Sequence, residues 1–262
     1  MLPAHSVSLA SFPTLRYVLS SIPPNCTRQH GFHLTDWGFE MGAMYFKSRA
    51  EVGRKLATML KQYANQNVAV VALNEGGVIV GAQIAMQLHA NLMLMLTENI
   101  YLPGEPDAIA SLSSTGSFTY NNMFSTGQLE DWATEFHGFI DQQRMEKMHH
   151  MNKLVGRDGE IHKEFLRHHI VIIVSDGLSS GFSLDIAAEF IKTVAIKRLI
   201  IATPLASVSA VDRMHLLGDE ICCLSVPANY MNTNHYYEDN TIPSIEHLFK
   251  IIKSIVLNWH HE

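Results

Sequence analysis

The sequence is short of charge, of cysteine and of long apolar runs, and each shortage excludes something. Asp, Glu, Lys and Arg make up only 17% of the 262 residues, too few for long, solvated tails. No basic run exceeds two residues and the formal net charge is -6, so a general nucleic-acid binder is excluded and no nucleic-acid partner is expected. No apolar run approaches the ~20 residues of a membrane-spanning helix, so no membrane partner is expected either. Cysteine occurs only at positions 26, 222 and 223, with none of the Cys-x-x-Cys or Cys/His spacings of a zinc site. These read as structural thiols in a reducing, cytoplasmic setting. The first residues also lack the basic-then-apolar order of a secretory leader. The fifteen histidines are scattered. Their pairs, at 149–150, 168–169 and 260–261, are adjacent and so do not share one face, and no metal ligand set is expected.

What is present is apolar content, 47% of the chain, enough for one large core. Residues 1–46 carry Pro3, Pro13, Pro23 and Pro24 among aromatics such as Phe32 and Trp37, and are expected to form an N-terminal extension packed on a main domain of 47–262. From Ser48 the pattern sharpens. Ser48-Arg-Ala-Glu51 is a capping box, and Val52, Leu56, Met59, Leu60 and Tyr63 follow at helical spacing. Val68-Ala-Val-Val-Ala-Leu73 reads as a strand covered on both faces. A turn at Asn74-Glu-Gly-Gly77, a helix over 78–88 and a strand over 91–96 complete a βαβ unit. A flap is expected over 98–125, with one hairpin arm at Ser117-Phe-Thr-Tyr120, then one long helix over 128–152. Further strands are expected at 171–174, at 198–203 ending at Pro204, and at 220–225. Helices are expected at 183–194, 207–217 and, with Pro243 in its first turn, 245–259. The alternation predicts an α/β fold, a doubly wound, mainly parallel sheet flanked by helices.

The most informative stretch is 171–183, Val-Ile-Ile-Val-Ser-Asp-Gly-Leu-Ser-Ser-Gly-Phe-Ser. It joins a buried strand, a loop of small and hydroxyl residues, and a helix N-terminus. Three readings stay open. The loop is a tight βα turn with no ligand. Or Gly177-Leu-Ser-Ser-Gly181 is the G-x-S-x-G elbow of a serine hydrolase, with Ser179 as nucleophile. Or backbone N–H groups and the helix dipole cradle a phosphate, with Asp176 at the strand's carboxyl end, where open α/β sheets bind ligands.

For the third reading the stretch resembles the 5-phosphoribosyl 1-diphosphate (PRPP) signature of type I phosphoribosyltransferases. Residues 46–56, 72–80, Pro204 with its following helix, and Tyr236-Tyr-Glu-Asp239 are similar to a bacterial subgroup of that family, and the likeness spans about 46–253. It implies a ligand that is a phosphorylated ribose, PRPP or a nucleotide, within nucleotide metabolism. It also implies transfer by diphosphate displacement, Mg2+ as cofactor, and room for a homodimer. It places Asp176 on the ribose hydroxyls as the catalytic acid. Substrate contacts would come from Ser175, Gly177, Leu178, Ser179, Ser180, Gly181, Phe182 and Ser183 around the phosphate. Glu75, Gly76 and Gly77 would lie in a diphosphate loop, and Tyr236 and Tyr237 would form a wall.

The chain departs from the family pattern at defined points. Ser175 stands where a first acid is usual, and bulky Phe182 where a small residue is usual. Glu75 replaces a base in the diphosphate loop, and Thr97-Glu98 replaces an Arg-Lys pair. Two carboxylates are therefore expected opposite an anionic leaving group, a reversal of several kcal/mol per charge at close range, on the order of the Coulomb term at an effective dielectric near 20. The alternative expectation is a catalytically degenerate homologue that binds a nucleotide or phosphosugar, or serves as a regulatory interaction module.

Overall fold

The computed structural model describes residues 44–121, 123–156, 161 and 163–257. All but the last three residues of the expected N-terminal extension lie outside the described residues. In chain order the elements are α1 (Arg49–Met59), β1 (Val68–Ala72), α2 (Glu75–Leu88), β2 (Asn91–Leu94), β3 (Thr97–Ile100), β4 (Ala110–Ser113), β5 (Phe118–Tyr120) and α3 (Thr126–Glu135). They continue with α4 (His137–Val155), β6 (Ile170–Val174), α5 (Phe182–Lys192), β7 (Arg198–Leu205), α6 (Val208–Leu217), β8 (Glu220–Ser225) and α7 (Ile245–Leu257).

The main sheet is parallel throughout, in the order β2-β1-β6-β7-β8. Every residue of β1 and of β6 is buried, as continuous Val/Ile/Ala runs covered on both faces must be. On one side α1, α2 and α7 pack together, with α1 against β7 and β8 and α2 against β1. On the other, α5 packs with α6, and α6 lies on β8. The α/β, doubly wound expectation therefore holds. From β1 the chain first builds outward to β2, then returns to add β6 on the opposite edge of β1. The carboxyl ends of β1 and β6 thus flank the topological switch point, where open sheets leave a crevice.

Several local expectations change. The flap is a separate antiparallel sheet, β3-β4-β5, of which residues 117–120 supply only the last strand. The single long helix is two, parted at Phe136 (φ -106°, ψ 19°), where Gly138 follows as a poor helix former in the next first turn. Pro204 does not end its strand, because β7 runs on to Leu205. Thr203 and Leu205 pair with β8 at Cys223 and Ser225. Beyond Pro204 the Leu205 carbonyl accepts from the Leu178 N–H and the Ala206 N–H donates to the Ser225 carbonyl, so the pairing continues on both sides although the proline itself has no N–H to give. Pro243 sits before the last helix, and the N–H groups of His247 and Leu248 donate to the carbonyl of Ser244. In the expected capping box, the Glu51 N–H donates to Ser48 Oγ at 3.3 Å, but the Glu51 carboxylate reaches back to the N–H of Lys47 at 3.0 Å.

The α1–α2 contact depends on one small residue. A Cβ at Gly53 would lie 2.7 Å from the Val80 carbonyl oxygen and 2.9 Å from Gln83 Cβ. We expect Gly53→Val to lower the free energy of unfolding by about 1–3 kcal/mol, the usual cost of overpacking. Urea titration followed by circular dichroism would read this as a lower midpoint at an unchanged slope.

Candidate functional site

The site begins where β6 stops. Ser175 and Asp176 follow Val174 directly and are 2% and 3% exposed. Asp176 does not face an open crevice. Its Oδ2 accepts from Arg49 Nε at 2.7 Å, and its Oδ1 accepts from Asn74 Nδ2 at 2.8 Å. Arg49, at the first position of α1, is itself 2% exposed. Its Nη2 donates to Asn234 Oδ1 at 2.6 Å, and its guanidinium carbon lies 4.6 Å from the centre of the Tyr237 ring. Tyr237 donates its hydroxyl to the Asp176 carbonyl oxygen at 2.7 Å. The start of α1, the end of β1, the end of β6 and the segment 234–237 are thus joined through one buried ion pair.

The glycines of the Asn74–Gly77 turn serve this packing. A Cβ at Gly76 would stand 2.0 Å from Asp176 Oδ2, and one at Gly77 would stand 2.7 Å from Asn74 Oδ1 and 2.9 Å from the Val174 carbonyl oxygen. Asn74 caps α2 by accepting from the Gly77 N–H at 2.7 Å. Glu75 is half-buried in the first turn of α2, a placement that suits the helix dipole. Ser175 donates its hydroxyl to the Gly177 carbonyl oxygen at 2.9 Å, so it shapes the turn.

The loop after Asp176 divides. Leu178 is 2% exposed, and its N–H and carbonyl are both used, with Leu205 O and Ser207 N at 2.9 Å each. Ser179 and Ser180 are exposed. Gly181 takes a left-handed conformation (φ 73°) and precedes α5 without a side-chain cap; non-glycine residues rarely adopt that backbone. Among the described residues, the N–H groups of Ser179, Ser180, Gly181 and Ser183 have no hydrogen-bond acceptor. Phe182 turns inward and is 4% exposed, so its bulk does not stand in the loop's solvent-facing mouth. A shallow cleft of about 660 Å³ adjoins the loop, lined by Ser179, Ser207, Asp212, Asn229 and Tyr230 among others.

Three expectations are corrected by this geometry. Glu98 is not opposed to the loop: it pairs with Lys147 Nζ at 3.2 Å and lies 3.9 Å from His150 Nδ1 on α4. Its neighbour Thr97, on the other face of β3, donates to the Leu73 carbonyl at 3.4 Å instead. Tyr236 and Tyr237 are 1% and 4% exposed. They are internal struts, Tyr236 donating its hydroxyl to the Asn229 carbonyl at 3.1 Å. The hydrolase elbow requires its strained residue at the serine, whereas here the left-handed residue is Gly181. Among the described residues Ser179 Oγ bonds to no histidine, and His235 Nε2 is engaged by Tyr45 at 3.0 Å.

Arg49, Asn74, Asn234 and Tyr230 are the site residues that sequence reasoning missed. One signal was available for Arg49: a cation in the first turn of a helix opposes the dipole and so calls for a local anion. Tyr230 and Thr233 share a 2.7 Å hydrogen bond, and both hydroxyls lie 2.7 Å from where a Cβ on Gly177 would stand. The segment after β8 therefore closes over the turn.

With this geometry in view, the model of the phosphoribosyl transferase domain matches residues 43–220. The chain belongs to that family. Two Mycobacterium tuberculosis proteins, provisionally named phosphoribosyl transferases, are each 27% identical over 201 residues, 75% of this chain but 44% of theirs. This chain thus spans under half the length of those relatives. Among solved structures, TT1426 of Thermus thermophilus is similar with a TM-score of 0.60 at 24% identity, over 82% of this chain and 99% of its own, a likeness of fold.

In this family member, removing one partner of the buried pair leaves the other charge uncompensated. Arg49→Met is expected to cost about 3–5 kcal/mol, and the double change Arg49→Met/Asp176→Leu to recover most of it, measured by urea unfolding. Burial pushes the Tyr230 hydroxyl up to about 12, with the Asp176 charge adding to the effect. The folded state then holds this proton more tightly than the unfolded chain, whose tyrosine titrates near ~10. Stability from this group is complete below pH ~10 and is lost as pH rises toward ~12. Melting temperatures across that window should fall, and Tyr230→Phe should make the fall shallower.

Proposed function

We propose that this chain binds a phosphorylated ribose, with the phosphate at the β6–α5 loop. The observation that carries the reading is the start of α5. Gly181 gives the helix no side-chain cap, the N–H groups of Ser179, Ser180, Gly181 and Ser183 lack acceptors among the described residues, and Ser179 and Ser180 are exposed beside it. A phosphate there would meet oriented N–H donors, hydroxyls and the positive end of a helix dipole. PRPP and nucleotides both carry such a phosphate. The match to the phosphoribosyl transferase domain supports this choice of ligand over other anions.

Transfer of the phosphoribosyl group by diphosphate displacement is the chemistry the family suggests. One observation favours a second reading, in which the ligand is held but not turned over. Asp176, the acid expected on the ribose hydroxyls, has both carboxylate oxygens committed to Arg49 and Asn74, and Ser175 stands where the first acid of the pair is usual. The same observation bears on Mg2+. The motif's carboxylate is engaged, and among the described residues no cluster of three His, Cys, Asp or Glu side chains gathers. The residues present do not fit a protein-held magnesium, so no step is derived through it.

Calorimetric titration with ribose 5-phosphate tests the binding reading; absence of heat at millimolar ligand would overturn it. Ser180→Asp, an exposed change, should weaken binding at least about tenfold by setting a carboxylate against the phosphate, with little change in melting temperature. Turnover is read separately, as PRPP consumption in the presence of purine and pyrimidine bases.

A further inference from the structure

Two helices begin at the switch point, and their N-termini differ in one respect. The start of α5 is open. The start of α2 is closed by the protein's own carboxylate: Asp176 lies so close that a Cβ on Gly76 would be 2.0 Å from Oδ2 and 2.4 Å from Cγ. Arg49 sits on the same glycine, its Nε 2.8 Å from that Cβ position, and pairs with the carboxylate at 2.7 Å. Asn74, the residue that caps α2, holds the other oxygen. Tyr237 and Asn234 cover the arginine, and Tyr230 and Thr233 cover the adjoining Gly177. An anion, a cation and a helix dipole are therefore already matched there, leaving no uncompensated positive charge for a second phosphate group.

We propose that Asp176 is a built-in occupant of the anion position at the start of α2, and that the ligand of this fold carries a single phosphate. The class is a ribose 5-monophosphate or nucleoside 5'-monophosphate rather than a 1-diphosphate. This rests on the binding reading given above for the α5 end, while the closure of the α2 end stands on its own geometry. Arg49 adds a second mark of the arrangement. Its Nη1 is buried and has no hydrogen-bond acceptor among the described residues. The single carboxylate thus leaves the guanidinium with donor capacity to spare. Taking away the Asp176 charge should convert the position into an anion site that inorganic diphosphate can enter.

The experiment uses the full chain with magnesium present. For the wild type, calorimetry should give ribose 5-phosphate and PRPP affinities within about threefold of each other, since the 1-diphosphate makes no added contact. Inorganic diphosphate should leave the wild-type melting temperature unchanged and raise that of Asp176→Asn and Asp176→Ala by several degrees, as a ligand that binds only the folded state does. PRPP binding the wild type more than about tenfold tighter than ribose 5-phosphate would overturn the proposal. So would diphosphate stabilising the wild type as strongly as the variants, or failing to stabilise variants that fold. Should Asp176→Ala not fold, the isosteric Asp176→Asn carries the thermal comparison; should neither fold, the wild-type affinities decide. If neither sugar phosphate binds while diphosphate still stabilises only the variants, the closure of α2 stands and the binding reading of the α5 loop falls.

Discussion

A buried arginine–aspartate pair sets the geometry of this end of the sheet. Taking two ions out of water costs several kcal/mol each, and their attraction offsets this only when geometry and further hydrogen bonds are good. The contact is 2.7 Å, with Asn74 on the carboxylate, Asn234 on the guanidinium and an aromatic ring beside the cation, and Nη1 is the one guanidinium nitrogen without an acceptor among the described residues. The pair joins residues 127 positions apart. Everything around it follows. Gly76 must be glycine because the carboxylate occupies the space of a side chain. Tyr237 must point inward because its hydroxyl and its ring each serve one partner. Phe46, just before α1, bridges to Tyr237, so the chain segment entering α1 and the segment after β8 close over the same two charges.

The sheet was legible in the sequence because its signal is local. Five-residue apolar runs such as Val-Ala-Val-Val-Ala and Ile-Val-Ile-Ile-Val can be buried on both faces only in a covered parallel sheet, and both are. The β6–α5 loop was legible for the same reason, since strand, small residues and helix are contiguous. What escaped was non-local. Arg49 reads as one more polar residue in a capped helix until Asp176 is brought to it. Pro204 reads as a strand end until the pairing of Leu205 and Ala206 with the neighbouring segments carries the strand past it. Of the flap's three strands, three or four residues each, only β5 shows in the sequence, as the arm at 117–120; β3 and β4 are too short for alternation to register.

Charge was the least legible property, because sign is written in the sequence and direction is not. Glu75 and Glu98 appear equivalent as acids after successive strands. Strand alternation sends Thr97 toward the end of β1 and Glu98 to the opposite face, where α4 supplies Lys147 and His150. Glu98 is thereby removed from the electrostatics of the site, while Arg49, absent from any charge count there, dominates it. The buried carboxylate therefore meets a cation from α1 rather than repulsion from its neighbours.

Helix ends complete the picture. Ser48, Asn74, Ser125 and Ser207 each cap a following helix by accepting an N–H, a contact worth about 1 kcal/mol. Phe136 offers α4 no such cap, but that helix follows directly on α3. The start of α5 has neither a capping side chain nor a preceding helix. Here the chain places a left-handed glycine and two exposed serines; the Phe182 N–H donates to Ser180 Oγ at 3.4 Å, while those of Ser179, Ser180, Gly181 and Ser183 have no acceptor among the described residues. The two helix N-termini at the switch point have been treated in opposite ways, one sealed with a resident carboxylate and one left open. On the proposed reading, an anionic ligand meets its donors at the open one. On physical grounds the difference between the two ends, more than the fold they share with related chains, decides what this crevice can hold.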